Sequence, residues 1–206
     1  RARLIEEGYY KSNKTDEWNL YEITCRGNHI LIKLNGRQTV ELIDNDRKDR
    51  TLEGVLALQL HAGAPMWVEF KDIRLKTLDA PYGEAVRLFN GENLDGWTFS
   101  SDKCRAVWSV KDGVLANAGR PVGYIRTEKD YTNYVIRMQV RHLTKGNGGV
   151  LLRVVGEDTV WPKSIECQGA FNNKGDIWNI GKFPMTVDPG RTKGRRTVKL
   201  HPSNEK

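Results

Sequence analysis

The regular alternation of apolar and polar residues is the feature that most constrains the fold of this chain. Residues 134–143 read YVIRMQVRHL, in which Tyr134, Ile136, Met138 and Val140 alternate with more polar neighbours. Because successive side chains of a β-strand point to opposite faces, this pattern predicts a strand with one buried face. No long segment shows the period of about 3.6 residues that an amphipathic helix requires. The chain is therefore expected to be built from strands.

Turn-forming dipeptides divide the chain into short strands. Asn35-Gly36 separates HILIKL from a returning segment at 38–43, and Asp112-Gly113 separates two further strand-like segments. Both dipeptides favour tight hairpin turns because their residues tolerate positive φ. Short strands with turn chemistry between them predict an all-β sandwich or barrel, and 206 residues suit one such domain.

One strand-like segment carries polar side chains on a single predicted face. Residues 164–168 read SIECQ, and the alternation directs Ile165 and Cys167 toward the core. The same rule places Glu166 and Gln168, together with the serine, on the opposite face. A carboxylate and an amide are thus expected side by side on a strand.

A second segment and one arginine are predicted to extend that polar face. Residues 57–61 read ALQLH, and alternation places Gln59 and His61 opposite the two leucines. Arg153 interrupts an apolar run and is expected to point the same way. A carboxylate, two amides, an imidazole and a guanidinium held on strands would form a suitable lining for a sugar-sized cleft.

Charge and hydropathy argue against two classes of partner. The formal charge of +7 could indicate nucleic acid or an acidic polysaccharide. However, basic and acidic residues are interspersed, and the one basic cluster, at 191–199, has no interleaved aromatic residue on which bases could stack. No segment reaches the apolar length of a membrane helix. We therefore expect neither nucleic acid as a partner nor a membrane span.

The cysteines and one acidic loop offer weak signals for metal. Cys25, Cys104 and Cys167 are odd in number and form no CxxC pair, which argues against a zinc ribbon and a disulfide scaffold. Cys25 and Cys167 are expected to be buried hydrophobic residues. The loop DNDRKDR at 44–50 lacks the glycine and the final glutamate of an EF-hand, so a solvated connection is favoured over a calcium site.

Several motifs together resemble the 3-keto-disaccharide hydrolase family. LFNGENLDGW at 88–97 is similar to the opening motif of that family. Further similar motifs lie at 108–115, 131–134, 148–153 and 165–168. Motifs similar to the closing half of the family lie at 18–23, 27–30, 34–36, 58–63 and 68–75. Their number and their order make the resemblance specific, and they cover most of the chain.

The two halves of the family pattern stand in swapped order. Residues 1–78 resemble the C-terminal half of one family repeat, residues 79–82 a linker, and residues 83–206 the N-terminal half of the next. A slice across two tandem repeats or a circular permutation would each produce this order, and we favour the slice. Either half alone would expose unpaired strand edges. We therefore predict that the halves close into one sandwich, within one chain or by pairing between chains or with adjacent repeats.

The resemblance implies a fold, a location and a chemistry. The family implies a jelly-roll sandwich of the concanavalin A-like lectin/glucanase kind and secreted or periplasmic bacterial proteins. It also implies cleavage of glycosides whose sugar is oxidised at C3. A ketone at C3 acidifies the hydrogen on C2, so cleavage needs a base near C2 and an electrophile near the ketone oxygen.

The resemblance suggests roles for the polar residues. Glu166 is the candidate base or metal ligand, with His61 as its partner, and a divalent metal held by these two residues would supply the electrophile. No third ligand is evident from spacing. Gln59 and Gln168 would orient sugar hydroxyls, and Arg153 would stabilise developing oxyanion charge. Alternatively, Glu166 is an exposed carboxylate paired with Arg153, and His61 is structural.

The remaining candidates lie after the central strands. Trp161 and Trp178 could stack on a sugar ring or could pack in the core, and Asp176 and Lys182 are weaker substrate-binding candidates. Two other tryptophans, Trp97 and Trp108, are expected in the core, and His29, His142 and His201 at the surface.

Three classes of function remain open at this point. The favoured one is an enzyme, a hydrolase or lyase that cleaves 3-keto-glycosides. A non-catalytic carbohydrate-binding module would use the same sandwich, and so would a structural repeat of a larger extracellular protein. Loss of turnover on removal of Glu166 separates the enzyme from the binding module.

Overall fold

The computed structural model describes residues 2–4, 14, 16–61, 66–79, 84–171 and 174–181, with the first three described as backbone only. These residues fold into two antiparallel sheets with a single short helix among them. The prediction of an all-β, jelly-roll β-sandwich is confirmed. In the described part of the chain, no helix is long and apolar enough to cross a membrane.

The described elements follow the turn signals of the sequence. The strands before residue 79 are β1 Ala2–Leu4, β2 Asn19–Arg26, β3 His29–Leu34, β4 Arg37–Ile43, β5 Val55–Leu60 and β6 Val68–Thr77. The later elements are β7 Val86–Arg87, β8 Trp97–Phe99, α1 Asp102–Arg105, β9 Trp108–Lys111, β10 Val114–Asn117, β11 Gly123–Thr127, β12 Tyr134–His142, β13 Gly148–Val155, β14 Lys163–Gln168 and β15 Ile177–Ile180. Asn35 and Gly36 both adopt positive φ in the β3–β4 turn, as the hairpin signal predicts.

The strands pair into a nine-stranded and a six-stranded sheet. The larger sheet has the order β1-β4-β3-β2-β12-β6-β10-β9, with β7 paired to β6, and the smaller sheet has the order β15-β14-β13-β5-β11-β8. Strands from both segments of the chain alternate in each sheet: β12 lies between β2 and β6, and β5 lies between β13 and β11. The strands of each segment therefore pair with strand edges of the other segment, which would be exposed if either segment folded alone. Whether this order of segments arose from a tandem slice or a permutation stays a prediction.

The core lies between the two sheets and follows the alternation of the sequence. Leu58 and Leu60 of β5 face Ile23 and Cys25 of the larger sheet, and all four residues are almost completely buried. Burial raises the pKa of the Cys25 thiol to about 11. A thiol held protonated in an apolar core acts as a small hydrophobic residue, as the pattern predicts.

The core also takes up the two tryptophans expected there. Trp97 and Trp108 are each 6% exposed. The acidic loop at 44–50 closes on itself, since the Asp44 and Asp46 side chains accept hydrogen bonds from backbone N–H groups of the same loop. Asp46 is only 4% exposed, so the loop is partly buried, and the preference for a plain connection over a calcium site stays a prediction.

Candidate functional site

Two rows of side chains define the outer face of the six-stranded sheet. Residues directly opposite one another in an antiparallel pair share a face, so the register assigns each row. The first row, here called the Gln59 row, contains Tyr124, Gln59, Gly149 and Gln168. The second row, here called the Glu166 row, contains Arg126, Ala57, Leu151, Glu166 and Trp178. The predicted polar residues of β5 and β14 therefore lie on one face, opposite the core.

The carboxylate of Glu166 lies over Gly149. Glu166 is only 5% exposed although it faces away from the core. A Cβ added at Gly149 would collide with Oε1 of Glu166 and would lie 2.7 Å from its Cγ. The missing side chain at Gly149 thus provides the space for the carboxylate, which reaches from its own row into the row of Gln59.

Gln59 lies beside that space with an unsatisfied amide. It is 2% exposed, and neither its Nε2 nor its Oε1 has a hydrogen-bond partner among the described residues. Leaving buried polar atoms without partners costs about 1–3 kcal/mol, so native proteins rarely retain them without a reason. One such reason is that the Gln59 amide binds a ligand through its N–H donor and its oxygen acceptor.

Gln168, in contrast, uses its side-chain oxygen inside the protein. Its Oε1 accepts hydrogen bonds from the backbone N–H groups of Gly169 and Ala170, both at 2.9 Å. An amide oxygen has two lone pairs, so these bonds fill its capacity. Gln168 therefore shapes the turn after β14, and a contact from its Oε1 to a sugar hydroxyl would cost one of these bonds.

The structure brings His61 and Trp161 together. Their ring centroids lie 4.9 Å apart, with the planes tilted by 55°. His61 directly follows β5, two residues after Gln59, and Trp161 lies in the β13–β14 loop with 41% of its surface exposed. An exposed indole beside an imidazole offers a flat apolar surface next to a proton donor or acceptor.

Trp178 and Asp176 lie on or beside β15. Trp178 stands directly opposite Glu166 in the β14–β15 register and is partly buried. The charges of Glu166 and then Asp176 add to burial, the main cause, in raising the pKa of the Cys167 thiol. Both carboxylates therefore act on the same buried thiol beneath the outer face. Lys182, also predicted for this region, lies outside the described residues.

Arg153 is placed elsewhere. It has positive φ, and the register of β13 shifts between Leu152 and Val155. Its side chain is 2% exposed, and its guanidinium donates hydrogen bonds to the carbonyls of Thr51 and Gly27. Gly27 lies in the β2–β3 turn of the other sheet, so Arg153 ties the two sheets together. The expectation that it shares the outer polar face with Glu166 is wrong, and so is the alternative pairing of the two.

His142 also departs from the sequence expectation. It is 1% exposed rather than a surface residue, and both its ring nitrogens lack hydrogen-bond partners among the described residues. Burial, with a smaller contribution from the charge of Lys174, lowers the pKa of His142 to about 3. The imidazole is therefore neutral and forms part of the packing between the sheets.

The described residues do not assemble a metal centre. No group of three or more His, Cys, Asp or Glu side chains with suitable geometry occurs among them. Glu166 and His61 alone provide two ligands, and a stable site needs more.

The fold and the site define a class of protein. A jelly-roll sandwich with a buried carboxylate, a buried amide and one tryptophan on a sheet face, and with an exposed tryptophan in a neighbouring loop, suits the binding or cleavage of carbohydrates. The family model described as 3-keto-alpha-glucoside-1,2-lyase-like domain matches residues 3–76 and 84–194. The chain belongs to this family of carbohydrate-related hydrolases and lyases, which confirms the resemblance read from the motifs. No curated protein matches the chain.

Proposed function

We propose that this protein cleaves 3-keto-glycosides by elimination across C1 and C2 of the oxidised sugar, with Glu166 as the base. Membership of the family supports the reaction class. The observation that carries the assignment is the Glu166 carboxylate, which is 5% exposed and lies over Gly149. The neighbouring Gln59 amide has no hydrogen-bond partner in the part of the chain that the structure describes.

The proposed reaction starts with removal of the C2 proton. The C3 ketone acidifies this hydrogen, and the Glu166 carboxylate accepts the proton while the electron pair moves toward the ketone oxygen. The electrons then return to form a C1–C2 double bond, and the bond between C1 and the glycosidic oxygen breaks. The leaving oxygen takes up a proton. Addition of water to C1 would complete a net hydrolysis, and release of the unsaturated ketone would be a lyase reaction.

Gln59 is suited to the charge that develops in this step. Its buried Nε2–H group can donate a hydrogen bond to the enolate oxygen, and its position on β5 holds it in place before reaction. Donors that are preorganised in a water-poor site stabilise developing charge more than water does. The hydrogen bond from Gln59 should therefore be stronger in the transition state than in the complex with bound substrate.

His61 is the proposed acid for the leaving oxygen. It follows Gln59 by two residues, and its ring contacts Trp161, whose exposed indole could stack on the departing sugar. In this arrangement, His61 would donate a proton to the leaving oxygen, and Glu166 would remove the proton from C2. Separate groups for the two proton transfers are typical of eliminations.

The experiment that tests the proposal follows sugar release from a 3-keto-disaccharide in D₂O. We expect release by the native protein, deuterium at C2 of substrate or product, and no release from the unoxidised disaccharide. Glu166→Gln should lower the rate by about 10²- to 10⁴-fold. Glu92→Gln, which changes an exposed carboxylate in the segment between β7 and β8, serves as the matched control.

The same assay addresses the alternatives. A parallel assay with a chelator tests whether a divalent metal takes part. If it does, turnover should fall with the chelator and recover when metal is added back. Binding of the 3-keto-disaccharide without turnover would favour a carbohydrate-binding module instead. Full activity of Glu166→Gln would remove Glu166 from the mechanism.

A further inference from the structure

The β13–β14 loop contacts a non-adjacent strand on the outer face of the six-stranded sheet. Asp158 of this loop accepts hydrogen bonds from the Tyr124 hydroxyl at 2.8 Å and from Nε and Nη2 of Arg126, both at 2.9 Å. Tyr124 and Arg126 belong to β11, which is separated from β13 by β5. Because neighbouring strands lie about 4.8 Å apart, this side-chain contact links the loop to a strand roughly 10 Å from β13, on the far side of β5.

A second contact fixes the other end of the loop. Trp161 packs against His61 at the end of β5, with 4.9 Å between the ring centroids. The loop is thus held at two points, at Asp158 on the β11 side and at Trp161 beyond the end of β5. Gln59 lies on β5, two residues before His61.

The residues of the outer face near the loop are buried. Ala57, Tyr124 and Leu151 are each 0% exposed and pack together with Val154 and Ile180. The loop itself is exposed over residues 156–161. It is therefore a thin cover rather than a part of the core, and segments with few buried contacts open at low free-energy cost.

The chemistry of the Asp158 contact suits a latch. The Arg126 hydrogen bond lowers the pKa of Asp158, so the carboxylate stays ionised and binds the guanidinium through two nitrogens. Burial and Asp158 raise the pKa of Tyr124, so its hydroxyl remains a donor. Both side chains of the ion pair are about one quarter exposed, which allows water to compete when the loop lifts.

The latch also borders an open cleft. A cleft of about 480 Å³ is lined by Arg126 and Asp158, by three further acidic residues (Glu53, Glu128 and Asp130) and by apolar residues such as Val154. Its volume falls within the range of small-molecule sites, about 300–1,000 Å³. Asp158 thus stands between this cleft and the covered face that carries Gln59.

We propose that the β13–β14 loop is a strap that closes over the substrate, and that Asp158 is the positioning residue that sets Trp161 against the leaving sugar. The inference rests on the proposed function, since it assigns the leaving sugar to the Trp161 side of the same site. Release of the Asp158 latch would join the cleft to the Gln59 row and admit a disaccharide. Closure would hold its leaving half against the exposed side of Trp161, next to His61.

The first test is kinetic and uses Asp158→Asn, which preserves shape but weakens the charged hydrogen bonds. With a 3-keto-disaccharide, we expect KM to rise about tenfold while kcat stays within about threefold, because the latch acts on binding geometry rather than on the base. Tyr124→Phe removes one of the bonds and should give a smaller rise. Glu22→Gln, which breaks the Glu22–Arg137 pair on the outer face of the other sheet, should change neither value.

A second substrate checks which half of the sugar the strap contacts. For a 3-keto-glucoside with a small leaving group such as methanol, Asp158→Asn and Trp161→Ala should each change KM less than about twofold. A rise that is equal for both substrates, or a fall in kcat alone, would overturn the proposal.

Hydrogen exchange tests the strap independently of turnover. Amides of residues 156–161 should exchange at least about tenfold faster in Asp158→Asn than in the native protein, while amides of β12 should not change. If the native protein cleaves no 3-keto-glycoside but this difference is found, the proposed function fails and the latch stands. Equal exchange in both proteins would remove the latch whatever the activity.

Discussion

The Glu166 carboxylate occupies the space above Gly149 that a side chain at this position would fill. Gly149→Ala should therefore displace the carboxylate. Because the added Cβ would also lie 2.9 Å from the backbone carbonyl oxygen of Cys167, the neighbouring strand must shift slightly as well. We expect kcat/KM for a 3-keto-disaccharide to fall about 100-fold or more, since small displacements of a catalytic group are costly. Added to Glu166→Gln, the same change should cause little further loss. Full turnover by Gly149→Ala would show that the base lies elsewhere.

The two glutamines of the Gln59 row should respond oppositely to loss of polarity. Gln59→Leu removes a buried amide that has no partner among the described residues, so the free energy of unfolding should stay equal or rise by about 1–2 kcal/mol, while the rate of cleavage falls. Gln168→Leu removes the acceptor of two backbone hydrogen bonds and should lower the free energy of unfolding by about 1–3 kcal/mol. Urea unfolding of both variants, with kinetics, makes the comparison. Strong destabilisation by Gln59→Leu would mean that its amide is satisfied within the protein.

The sequence predicts which face each residue of β14 occupies, because strand geometry fixes the alternation. Ile165 and Cys167 pack in the core, and Glu166 lies on the outer face, as the pattern indicates. Alternation within one strand does not give the partner across it. The register between strands that are distant in sequence places Gly149 next to Glu166 and Gln59 next to Gly149, and alternation cannot predict that register.

Two residues show where pattern reading fails and why. Arg153 breaks the alternation because the chain bulges there, and a bulge reverses the expected face. His142 obeys the alternation of 134–142, but the prediction by residue type placed it at the surface. The Asp158 latch could not be foreseen, because it joins a loop to a strand that is not adjacent to it.

The inter-sheet position of Arg153 predicts a structural phenotype. Arg153→Lys replaces the two separate nitrogens that donate to the carbonyls of Thr51 and Gly27 by one nitrogen on a shorter side chain, and leaves a charge in a buried site. The free energy of unfolding should fall by about 2–4 kcal/mol, with KM unchanged at temperatures where the variant is folded. Arg137→Lys, at an exposed arginine, should change stability by less than about 0.5 kcal/mol. Normal stability with a raised KM would instead return Arg153 to the binding site.

The buried His142 predicts how stability depends on pH. Its pKa is about 3 in the folded protein against 6.5 in a model peptide, so the unfolded chain binds more protons between these values. The stabilisation linked to the neutral ring is therefore complete above about pH 6.5 and is lost as the pH falls toward 3. Urea unfolding at several pH values should show a steeper fall for the native protein than for His142→Leu, by at most about 1.4 kcal/mol per pH unit.

A second variant separates the two causes of this shift. Burial is the larger cause and the charge of Lys174 the smaller, so Lys174→Met should raise the pKa of His142 only part of the way toward 6.5. The lower limit of the pH window should then move upward while its upper limit stays near 6.5. The same pH slope in the native protein and in His142→Leu would show that His142 carries its proton in the folded state.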